Sequence, residues 1–268
     1  MSNSTPLNQL LTIMETLRDP ERGCPWDRQQ DFETIAPHTL EEVYEVIDAI
    51  QQRNWDELKE ELGDLLFQII FYCQLGKEQH HFDLDDVIKG LNDKLIRRHP
   101  HVFSDVDFAD QVAIKANWEQ EKAKEREQKG QSSVLDNVPH AMPALLRAEK
   151  LQKRCAQHGF DWDSIGPVVE KVHEEIDEVM EEVTQVSPSS DRVEDEIGDL
   201  LFSVVNLARH AKVKPEIALA RANKKFERRF REVEKSVLQE GKQLVECDLE
   251  TLDNWWRKVK ENEADNKS

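Results

Sequence analysis

Two short acidic strings carry a spacing that could do chemistry. Glu174-Glu175-x-x-Glu178 is followed, after a break at Ser187-Pro-Ser-Ser190, by Glu196-x-x-Asp199. On a helix, residues three apart share a face, so Glu175 projects with Glu178 and Glu196 with Asp199. Two such helices joined by a short loop run antiparallel and aim four carboxylates at one point. Converging carboxylates in a partly buried place do not all stay ionised without a cation. An all-oxygen donor set favours a hard ion such as Mg²⁺ or Mn²⁺, which keeps some waters and bridges to substrate phosphates.

The arrangement is written twice. Glu41-Glu42-x-x-Glu45 and Glu61-x-x-Asp64 precede it, and both copies continue alike, as ELGDLLF from Glu61 and EIGDLLF from Glu196. Gly63 and Gly198 each cost a helix interior about 1 kcal/mol relative to Ala. Their presence predicts that another backbone or a ligand comes close beside the Asp, and Leu-Leu-Phe reads as core.

Further pairs fall into near register: Trp26-Asp27 with Trp162-Asp163, Asn92-x-Lys94-x-x-Arg97-Arg98 with Asn223-x-Lys225-x-x-Arg228-Arg229, and Trp118 with Trp256. The chain therefore reads as a duplication. The expected units are residues 1–125 and 134–268, joined by a charged, apolar-poor segment at 126–133. Apolar residues recur at helical spacing from Leu7 to Leu17, Leu40 to Ile50, Leu58 to Leu75, Val168 to Val183, Val193 to Ala208 and Ile217 to Val233. Strand-like alternation is absent, so the expected fold is all-α, two tandem helical bundles. Asn54-x-x-Glu57 and Asp191-x-x-Glu194 resemble capping boxes at helix starts.

Bulk properties narrow the partners. With 36 basic against 55 acidic residues the net charge is −19, which disfavours nucleic-acid polymers and anionic membranes. No apolar run approaches the roughly 20 residues a membrane span requires. Cys24, Cys73, Cys155 and Cys247 are scattered without a Cys-x-x-Cys pair, which fits a reducing, cytoplasmic setting.

These strings, with Cys24-Pro-Trp-Asp27, KLIRRHPHVF from Lys94, KLQKR from Lys150 and GFDW ending at Trp162, resemble the MazG nucleoside triphosphate pyrophosphohydrolases over nearly the whole chain. The resemblance implies an all-α homodimer that uses Mg²⁺ to hydrolyse NTPs or dNTPs to the monophosphate and pyrophosphate. It implies metal ligands Glu175, Glu178, Glu196 and Asp199, with first-unit counterparts Glu42, Glu45, Glu61 and Asp64. Phosphoanhydride hydrolysis needs a neutralised polyphosphate and an activated water, both of which divalent ions supply; Glu174 or a ligand carboxylate such as Glu175 would accept the proton.

The units differ beside these carboxylates. Lys171 stands where the first unit has His38, Arg192 where it has Glu57, and Lys224 where it has Asp93. A triphosphate should therefore prefer the second unit, where Asn223, Lys225, Arg228 and Arg229 are further phosphate-binding candidates and Trp256 could stack on a base. On a straight helix, though, Asn223 points nearly opposite to Lys225 and Arg229. The neighbours Trp255 and Trp256 should not both face inward, leaving one for a partner or ligand. Two other readings stay open: a carboxylate di-metal bundle, for which Glu170-x-x-His173 offers one Glu-x-x-His, and a non-catalytic helical interaction protein.

Overall fold

The structure, a computed structural model, describes residues 5–128, 130–131 and 133–265. It is helical in both units, with no strand among the described residues. The chain divides into Met1–Gln128 and Lys129–Ser268. The helix ending at Gln128 covers the start of the expected joint at 126–133, while Lys129 and Ser132 lie outside the described residues.

The first unit contains α1 (Pro6–Leu17), α2 (Pro25–Gln29), α3 (Phe32–Gln52), α4 (Trp55–Glu78), α5 (Leu84–Arg98), the short α6 (Pro100–Phe103) and α7 (Gln111–Gln128). Its centre is the α3–α4 hairpin. Arg53, left-handed at φ 57°, ends α3, and Asn54 starts α4 by accepting the Glu57 amide at 3.3 Å, as its sequence pattern predicts. Met14, Ile35, Ile70, Phe71 and Leu75 form a dry core between α1, α3 and α4. One glycine is sterically required: a Cβ on Gly76 would lie 2.7 Å from the carbonyl oxygen of Phe82.

The second unit repeats this order with α8 (Ala144–Ala156), α9 (Ile165–Val183), α10 (Ser190–His210), α11 (Pro215–Gln239), a 3₁₀ turn at Leu244–Glu246 and α12 (Leu249–Asp265). The α9–α10 hairpin takes the place of α3–α4, and α11 packs on α12. Here the capping pattern misleads. The cap is Ser189, without a side-chain bond, and Asp191 is the second residue of α10. An acid so close to the helix start still complements its positive end.

Trp255 and Trp256 also depart from expectation. Both pack against Val233, Val237 and Val259, and Trp256 lies 5.2 Å from the Phe226 ring. Each indole is half-buried against α11, so both turn toward their own unit. Helix spacing alone overlooked that a broad ring covers two adjacent positions along a crossing helix.

Candidate functional site

The repeated acidic strings converge as their spacing predicts, with one member of each expected set standing apart. In the second unit, carboxylate oxygens of Glu175, Glu196 and Asp199 lie within 4.8 Å of one another; in the first unit the same holds for Glu42, Glu45 and Glu61. Glu178 and Asp64 are outside these triplets but lie close enough to interact with them. Burial, then the charges of Glu175, Glu174 and Glu196, raise the Glu178 carboxyl above its ordinary range, against the lowering effect of Lys171. Burial and then Asp64 and Glu45 raise Glu42, and burial and then Glu45 and Asp64 raise Glu61. Like charges gathered this closely hold their protons harder. A triplet of carboxylates is the donor set of a hard divalent ion. Neither triplet contains a histidine, so Glu170 and His173 gain no support as part of a Glu-x-x-His metal site.

The cationic positions behave individually. Lys171 Nζ sits 2.8 Å from Glu175 and 2.9 Å from Glu174 on its own helix, and these two carboxylates push its ammonium upward. The same spacing in the first unit places His38 3.7 Å from Glu41. Arg192 does not turn toward Glu196; it pairs with the buried Glu182 across the hairpin. The buried Glu182 carboxylate of the facing helix lies within reach of the guanidinium and takes it.

Arg228 and Arg229 are occupied too. They grip the two oxygens of Glu263 on α12 at 2.7 and 2.8 Å, which holds that carboxyl down at about 2. Arg97 and Arg98 grip Glu125 on α7 in the same way, holding it at about 2. The repeated Arg-Arg thus fastens the last helix of each unit. Asn223 and Lys225 are exposed on α11, Trp256 is a packing residue, and Arg229 lies 5.9 Å from its ring.

A Cβ placed on Gly63 or Gly198 would meet no atom within 4 Å, so no group of the chain uses the clearance they provide. The adjoining Leu-Leu-Phe strings are core only in part: Leu65 and Leu200 are half-buried and Phe67 packs on the first core, while Leu66 is 42% and Leu201 53% exposed. Expecting the whole of each string in the core was an error of scale. The apolar face of α4 and α10 is wider than one bundle can cover.

A cavity of about 200 Å³ opens beside the second triplet. Lys171, Glu175 and Asp199 form part of its wall, and Phe202, Ser203, Asn206 and Arg209 continue along α10. Gln152 of α8 and Phe160, Asp161 and Trp162 of the connection close it. Arg209 and His210 hold Asp161 at 2.8 and 2.9 Å and keep its carboxyl well below the usual range. A first-unit cavity, lined by Leu11, Glu15, Ile70, Cys73, Gln74 and Lys77 among others, touches none of that unit's acidic set. Of the second cavity's residues beyond the acidic cluster, the quoted strings already hold Gln152, Phe160, Asp161, Trp162 and Phe202, and the comparison of units holds Lys171, but Ser203, Asn206 and Arg209 are not singled out. The signal that would have found the others is a difference between repeats, where buried apolar positions of one unit become polar in the other.

Comparison with known proteins agrees with this geometry. The MazG nucleotide pyrophosphohydrolase domain matches residues 30–103 and 166–234, which span the two central hairpins. A nucleoside triphosphate pyrophosphohydrolase of Escherichia coli K12 is 56% identical over 97% of this chain and 98% of its own. A nucleoside triphosphate pyrophosphohydrolase/pyrophosphatase MazG of Thermotoga maritima is 44% identical over 94% of each chain. By its repeated hairpins and by these likenesses, the chain belongs to the MazG nucleotide pyrophosphohydrolase family.

Proposed function

We propose that the protein is a Mg²⁺-dependent nucleoside triphosphate pyrophosphohydrolase whose working site is in the second unit. The observation that carries this reading is the junction of the Glu175, Glu196 and Asp199 triplet with a cavity, a junction the described first-unit cavity does not make. Both full-length relatives named above are nucleoside triphosphate pyrophosphohydrolases.

The carboxylates would hold the ion, Mg²⁺ with Mn²⁺ as substitute, and Glu178 would join them by a change of rotamer. A bound divalent ion neutralises polyphosphate charge and acidifies a water enough for it to act as nucleophile. The chain's own groups do the rest. Lys171, tied to Glu175 in this state, is placed to swing its ammonium onto a phosphate oxygen once the carboxylate charge is taken up. Glu174, 57% exposed at its side chain and paired with Lys171, is then released to accept the water's proton. Asn223, Lys225 and the outer edge of Arg228 are candidates for the distal phosphates.

The exposed apolar faces support a homodimer. Leu62, Leu66 and Ile69 of α4, and Ile197, Leu201 and Val204 of α10, are each between 42% and 53% exposed and flank the uncovered glycines. Apolar strips of this kind mark interaction surfaces. No described helix is long and apolar enough to cross a membrane; with the strong negative charge, this fits a cytoplasmic enzyme on small-molecule substrates.

The test is product identity. Pyrophosphate, and no orthophosphate, should appear from NTPs only with Mg²⁺ or Mn²⁺ present. Release of orthophosphate would mark a different phosphohydrolase and overturn this reading, and release of neither product would leave the non-catalytic reading standing.

A further inference from the structure

The two units share a scaffold but not a centre. By position and burial, Met14 of α1 corresponds to Gln152 of α8, Ile35 to Val168, Ile70 to Val205 and Phe71 to Asn206. In the first unit these residues meet in a dry cluster, with Met14 and Phe71 fully buried and Arg18 lying 5.1 Å from the Phe71 ring. In the second, the exchanges Met14 for Gln152 and Phe71 for Asn206 fall on the wall of the cavity beside Glu175 and Asp199. Both amides are only 7% exposed.

Burying an amide without partners costs about 1–3 kcal/mol, and each amide here is half-satisfied in a defined sense. Gln152 Nε2 donates to the Phe202 carbonyl at 2.8 Å, which fixes the amide's orientation, and Gln152 Oε1 is buried with no bonding group of the protein. Asn206 Oδ1 accepts from Arg209 Nε at 3.1 Å and Nη2 at 2.6 Å, which leaves its Nδ2 as the donor. The wall therefore offers an acceptor from α8 and a donor from α10. Arg209 is itself anchored on Asp161, so the Asn206 amide is held in place.

The spacing along α10 suits a nucleotide. Asp199, Ser203 and Asn206 follow one face, so the polar wall begins about one to two turns, roughly 6–10 Å, from the carboxylates. That is the interval a ribose and its α-phosphate have to bridge. Phe160 is 81% and Trp162 43% exposed, and both border the cavity, offering flat faces to a planar ligand.

We propose that this cavity is the nucleobase pocket, in which Gln152 Oε1 accepts an N–H of the base, Asn206 Nδ2 donates to the adjoining ring nitrogen or carbonyl, and the aromatic pair covers the ring. The inference rests on the pyrophosphohydrolase reading for its substrate but concerns binding, and it makes the first unit's equivalent position, filled by Met14 and Phe71, unable to seat a base in this way.

The test uses the full chain with Gln152→Met, which installs the first unit's residue, and Asn206→Asp, which keeps size and the Arg209 contact but removes the donor. The kcat/KM of ATP, GTP, CTP and UTP is compared with that of ribose 5′-triphosphate, and α,β-methylene analogues of the four NTPs are titrated calorimetrically. Pocket hydrogen bonds of this kind discriminate by about tenfold or more. The expected result is that the ratio of the best NTP to ribose 5′-triphosphate falls at least about tenfold in Gln152→Met, and that Asn206→Asp reorders the four bases. Unchanged ratios and an unchanged order in variants with wild-type circular dichroism would overturn the pocket. If the wild type releases pyrophosphate from no triphosphate, the proposed activity fails, and analogue affinities still decide the pocket: equal binding to wild type and Gln152→Met rules it out.

Discussion

Lys171 and Glu175 form an ion pair one helical turn apart on α9, 2.8 Å from Nζ to Oε1, and the carboxylate end is buried while the ammonium end is about one-third exposed. Glu175 thus has its partner at hand before any metal or substrate arrives, and Lys171 is stored beside the place where a phosphate would need it. The pair sets the resting charge of the site. Both residues line the cavity, so the pair joins the acidic hairpin to it.

Removing that cation should destabilise the protein without its metal. Lys171→Met leaves Glu175 beside Glu196 and Asp199 with no positive neighbour on α9, and an unpaired buried polar group costs about 1–3 kcal/mol. Urea unfolding should shift to lower midpoints by that amount in EDTA, and saturating Mg²⁺ should recover most of the loss. An unchanged midpoint in EDTA would show that the pair contributes nothing to the resting fold.

Acid stability should depend on the clasps at the ends of the two units. Glu125 and Glu263 are each held at about 2 against an ordinary 4.5 by paired arginines. A carboxyl whose folded pKa is depressed contributes stability that is full above its unfolded pKa and fades as pH falls toward the folded one. The window is therefore from about 4.5 down to about 2. Glu125→Gln and Glu263→Gln should each lower stability at neutral pH and flatten its decline across that window, as followed by circular dichroism. An acid transition with the wild-type slope would contradict the clasp.

The open faces of α4 and α10 should hold two chains together. Leu66→Lys with Leu201→Lys places two charges on half-exposed apolar strips, and light scattering should then report a lower mass than for the wild type. Gly198→Ala meets no atom of its own chain, so as a monomer the variant should gain about 1 kcal/mol of helix stability. If the glycine instead gives clearance to a second copy, Gly198→Ala weakens association while leaving the helix content intact.

Much of this architecture is legible from residue order because it rests on local rules. Helical spacing places the six long apolar segments, and i,i+3 geometry brings Glu175 and Asp199 onto facing sides of one hairpin. What escapes is set by reach and by neighbours far along the chain. Arg192 finds Glu182 instead of Glu196 because the buried carboxylate of the facing helix lies within its reach. Trp255 and Trp256 both pack because α11 crosses beneath them. Gln152 and Asn206 look like ordinary polar helix residues until α8 brings them together. Only the comparison with Met14 and Phe71 shows that they stand in the centre of the bundle.

The seat of activity is the central claim, and pyrophosphate release measures it. Glu175→Gln combined with Glu196→Gln dismantles the second triplet with little change in side-chain volume; Glu42→Gln combined with Glu61→Gln does the same to the first. With both variants folded and of wild-type mass, the second-unit pair should lower Mg²⁺-dependent pyrophosphate release from NTPs by about 10²-fold or more, as loss of a charge-stabilising site does. The first-unit pair should keep most of it. Abolition by the first-unit pair, with activity surviving in the second-unit pair, would contradict the account.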